Sequence, residues 1–224
     1  MKQLFLSVET LSDVSPKNAG VYRYSESPSF ITTLIAAAID DMPIQVFDLY
    51  HKESLPSEIV QALTDPDCKK FAFDARFTRV CLSRFLGMPI GTYLPPEQWR
   101  CLRSEALYNG MPDKILLLGG MQGIPDCIND EMTGYLRKSC SDLLKKNRLD
   151  ELQYEWPLYK EYLLRKVNNA RSLSKILDRY VILEFEQQLY YACERINDRG
   201  IMVDTRMIDN AIQIDERQQS ERFV

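Results

Sequence analysis

The sequence predicts an α/β fold, a mixed sheet flanked by helices with a helical C-terminal extension. Three observations carry that expectation. Apolar runs of strand length cluster before residue 75. Segments with apolar residues at helical spacing stand between them. The second half holds long stretches almost free of Gly and Pro, which favours helices there.

In chain order, Gln3–Val8 is a short apolar run suited to a buried strand. Pro16–Gly20 reads as turn material. Phe30–Ile39 is rich in Ile, Thr and Ala, lies between Pro28 and Asp40-Asp41, and reads as a second strand. Ile44–Leu49 makes a third, with Asp40–Pro43 turning between them. Pro56–Leu63 is a short helix and Lys69–Phe73 a fourth strand. Phe77, Val80, Cys81, Phe85 and Leu86 recur at helical spacing. The middle, Gly87–Asn129, is broken by five prolines. It holds a strand end and a helix within Trp99–Tyr108 and a short apolar piece at Ile115–Met121. Asp130–Leu144, Leu158–Leu177 and Val181–Asn197 are helices, the last closed by Gly200. Asp204 caps a further helix over Thr205–Arg217.

The chain has 224 residues, 45% hydrophobic and 27% charged, enough for one large domain and a core without staples. A net charge of −4 excludes a bulk polycation that holds nucleic acid by charge alone. The first apolar run is too short for a signal peptide, and no stretch approaches the ~18 apolar residues of a membrane span. A cytoplasmic protein without membrane contacts is therefore expected. Six cysteines without a C-x-x-C pair, and one histidine (His51), exclude the usual zinc spacings. The cysteines read as reduced and mostly buried.

Charge is uneven. Residues 134–180 hold 11 basic and 6 acidic side chains, whereas both flanking regions are acidic. Arg137, Lys138, Lys145, Lys146, Arg165 and Lys166 are the candidate nucleic-acid-binding residues of this segment. A solvated helical face is the competing reading. Tyr22, Tyr24, Phe30, Tyr93, Tyr108 and Tyr135 are candidates for stacking on bases.

Three segments together resemble a known family. They are Leu6-Ser7-Val8-Glu9-Thr10, Ala72–Leu82, and Tyr162-Leu163-Leu164-Arg165-Lys166. Their order and spacing resemble the exonuclease motifs of the 3′–5′ proofreading domain in bacteriophage-type family-A DNA polymerases, a DnaQ-like, ribonuclease H-like group. Gly20–Tyr24, Trp99–Cys101 and Arg195–Ile201 also look like that group. The resemblance implies a ribonuclease H-like exonuclease domain over residues 1–178. It also implies a helical extension over 179–224 resembling the start of a polymerase region. A chain of this length leaves no room for polymerase palm and fingers.

The family's chemistry, as the resemblance implies it, uses two divalent metals held by four carboxylates, with a tyrosine orienting the water. Here Glu9 and Tyr162 keep the family's catalytic positions. Ser7, Thr78 and Lys166 stand at the other three acidic positions. A hydroxyl brings no negative charge, and a lysine repels the cation it replaces. Asp74, four residues before Thr78, is the one candidate substitute ligand. No metal is expected, and Mg²⁺ only if the domain is active. The ammonium of Lys166, paired with Glu9, would stand where a metal stood and hold a phosphate without cutting it.

The resulting expectation is a catalytically degenerate exonuclease-like domain. It would bind single-stranded DNA or primer-template, or dock on a replication protein. The alternatives are an active 3′–5′ exonuclease with an atypical ligand set, and a protein-interaction factor or polymerase-gene relic without DNA binding.

Overall fold

The computed structural model describes residues 2–124, 127, 134–135, 138–140, 142, 146 and 149–222. Most of the helix expected over 130–144 lies outside these residues, as do Arg137 and Lys145.

Five strands form one mixed sheet: β1 (Gln3–Leu11), β2 (Ile31–Ile39), β3 (Gln45–Asp48), β4 (Lys69–Ala72) and β5 (Trp99–Cys101). Their order is β3-β2-β1-β4-β5. β1 pairs antiparallel with β2 across a connection that holds a helix, and β2 pairs antiparallel with β3 through a short turn. β4 pairs parallel with β1, and β5 with β4, across helical connections. Three strands in a meander followed by two parallel ones is the ribonuclease H-like arrangement the sequence predicts.

The described helices are α1 (Pro16–Ser25), α2 (Ser57–Thr64), α3 (Ala75–Phe85), α4 (Leu102–Tyr108), α5 (Ile115–Met121), α6 (Leu149–Leu177), α7 (Glu184–Arg199) and α8 (Thr205–Arg222). Alternation along β1 divides the core. Leu4, Leu6 and Val8 pack with Ala62, Leu63 and Leu82 of α2 and α3. Phe5 points the other way and joins Leu163, Val167, Ala170 and Leu173 of α6, with Leu102 and Ala106 of α4. The i, i+4, i+7 spacing on α6 lays one apolar stripe across that face.

Two expectations are corrected. Pro16–Gly20 is not a turn but the first half of α1. Pro16 at the helix start lacks a donor that would be unpaired there anyway, so it opens the helix. Gly20 then interrupts the helix at φ 76°, ψ 166°, a conformation open essentially to glycine alone. The long helix does not begin at Leu158 either, because α6 starts at Leu149 and includes Pro157. The ring removes one backbone bond, while buried Trp156 and Tyr159 on either side hold the helix to the sheet.

The C-terminal helices differ in how they sit. Glu194 of α7 is 1% exposed and pairs with Arg79 and Arg76 of α3, while Asp198 takes both Arg79 and the Tyr22 hydroxyl. α8 opens as expected, with Asp204 Oδ1 accepting from the Met207 amide at 3.0 Å. Every described side chain of α8 is exposed.

Candidate functional site

Ser7 and Glu9 lie two residues apart on β1, so both project to the α6 face. Tyr162 and Lys166 lie four apart on α6 and meet them there. Asp74 precedes α3 and Thr78 is in its first turn, bringing the second motif to the same place. All six therefore converge. Ser7, Asp74, Thr78, Tyr162 and Lys166 line a cleft of ≈ 430 Å³, with Glu9 against its Lys166 wall.

Glu9 is 3% exposed, and both of its carboxylate oxygens have partners. The Tyr159 hydroxyl donates to Oε2 at 2.7 Å. The Lys166 ammonium lies 3.3 Å from Oε1 and 5.9 Å from the Tyr162 ring centroid. Tyr159 and Tyr162 stack with centroids 6.2 Å apart, one helical turn from each other. A β-bulge follows Glu9, and the Thr33 hydroxyl donates to the Glu9 carbonyl at 3.0 Å. Bulges of this kind fix the aim of a neighbouring side chain.

Asp74 is committed elsewhere. Its Oδ1 accepts from the Phe77 amide at 3.1 Å as the N-cap of α3. Its Oδ2 takes Arg103 at 3.0 Å. A divalent ion approaching Glu9 meets the ammonium already on its oxygen, and Ser7 and Thr78 offer only neutral hydroxyls. Among the described residues, no three His, Cys, Asp or Glu side chains group closely enough to hold a metal ion.

The cleft wall also includes Lys17, Arg103 and Lys114, against Asp74 and Asp113. None of the three bases stands in a recognisable motif, so nothing in the sequence singles them out. Tyr159 was missed as well, although it stands three residues before Tyr162 on the same helical face. Of the segment 134–180, Lys166 faces the cleft, whereas Arg165 pairs with Glu161 on an exposed face of α6. Lys138 and Lys146 are exposed. Of the candidate stacking aromatics, Tyr24 is buried, and Tyr22 and Tyr93 donate to Asp198 and Glu26. Tyr108 lines a separate groove of ≈ 240 Å³ against α7. Tyr135, 65% exposed, follows Gly134 at the cleft wall.

A second polar cluster lies at the end of β3. Buried Asp48 accepts from Trp156 Nε1 at 2.6 Å and from Lys160 Nζ at 2.6 Å, with His51 Nδ1 at 2.9 Å. Burial pushes the Asp48 carboxyl up, but Lys160, Trp156 and His51 outweigh it and hold the group below its ordinary range. The lone histidine thus sits in a structural anchor between β3 and α6. Four cysteines are buried, Cys127 is half-buried and Cys193 exposed, all of them free thiols. Among the described residues, no helix is long and apolar enough to cross a membrane.

Comparison with known proteins gives one further finding. The chain is similar to a DNA polymerase of Bacillus phage SP02, 30% identical over 228 residues, which covers 98% of this chain and 35% of that protein. It therefore spans about a third of the length of the relative it matches. No protein-family profile and no solved structure matches the chain. The similarity supports a domain related to part of a phage DNA polymerase.

Proposed function

We propose that the chain is a catalytically degenerate 3′–5′ exonuclease-like domain of phage DNA polymerase type, acting in nucleic-acid binding. In this reading residues 1–178 form the exonuclease-like domain, and 179–224 the extension toward a polymerase region. One observation carries it: the ammonium of Lys166 lies 3.3 Å from Glu9, the one acid left at the family's ligand positions. The side chains present do not fit the paired metals that the family resemblance implies. Two of the other ligand positions carry neutral hydroxyls, and Asp74 is engaged by Phe77 and Arg103. Without bound metal no water is activated, and Tyr162 has no nucleophile to orient. The convergence of all three motif segments on one cleft supports descent from a nuclease site, and the similarity to a phage polymerase supports the lineage.

The test uses 3′-labelled and 5′-labelled single-stranded DNA with Mg²⁺ or Mn²⁺. Wild type is expected to leave the DNA intact. The triple variant Ser7→Asp, Thr78→Asp, Lys166→Asp is expected to shorten it from the 3′ end. Trimming by wild type that Glu9→Ala abolishes would overturn the degenerate reading in favour of an active exonuclease.

A further inference from the structure

We draw no further inference here: the strongest candidate, the exposed apolar face of α8 at Met207, Ile208 and Ile212, carries nothing, because nothing in the structure shows what covers it.

Discussion

Burying a carboxylate is costly unless its oxygens are paired, and removing one partner of a buried pair costs about 3–5 kcal/mol. Two acids on the α6 face of the sheet satisfy that demand in different ways. Glu9 uses a phenol and an ammonium, which leaves its charge answered without a metal. Asp48 uses an indole, an ammonium and the imidazole of His51. Because the folded pKa of Asp48 is depressed, its contribution to stability is complete above the ordinary Asp value of about 3.9. That contribution is lost as pH falls through the lower native value. Asp48→Asn is therefore expected to cost about 1.5–3 kcal/mol at pH 7. It should also flatten the acid limb of a stability profile measured by urea unfolding between pH 7 and 2. An acid limb identical to wild type would show that Asp48 titrates normally.

Elements place these residues, and the sequence made most elements legible. Strict alternation along β1 put Ser7 and Glu9 on one face, and the four-residue step put Tyr162 and Lys166 on one stripe of α6. The resemblance implied their meeting point, and these two periodicities are the physical reason it forms. What it did not give were long-range partners: Tyr159 over Glu9, Arg103 on Asp74, and the bases of Lys17 and Lys114. Those depend on where loops and helices return to the sheet, which periodicity does not encode. The turn expected at Pro16–Gly20 and the helix start expected at Leu158 both differ from the structure, since a proline opens one helix and is tolerated inside another held by buried neighbours.

The docking of α7 was equally hidden, because Arg79 sits on α3 and its partners Glu194 and Asp198 lie more than a hundred residues away. Burial pushes the Arg79 pKa down, but Asp198 and Glu194 outweigh it, and the guanidinium stays charged. Arg79→Met would leave the two acids without it. The expected loss is about 3–5 kcal/mol in chemical unfolding, with faster amide exchange across α7. A loss under about 1 kcal/mol would mean that apolar contacts, rather than this ion cluster, hold the helix.

For the whole molecule, the mixed sheet in the order β3-β2-β1-β4-β5 brings three separate segments to one cleft. The chain matches about a third of a phage DNA polymerase. The central claim is that an ammonium has replaced the metals of an ancestral nuclease cleft. Its most direct test is a calorimetric titration of Mn²⁺ into wild type and into the Ser7→Asp, Thr78→Asp, Lys166→Asp variant. The account predicts no saturable binding by wild type and saturable binding by the variant. Saturable Mn²⁺ binding by wild type that disappears in Glu9→Ala would contradict it.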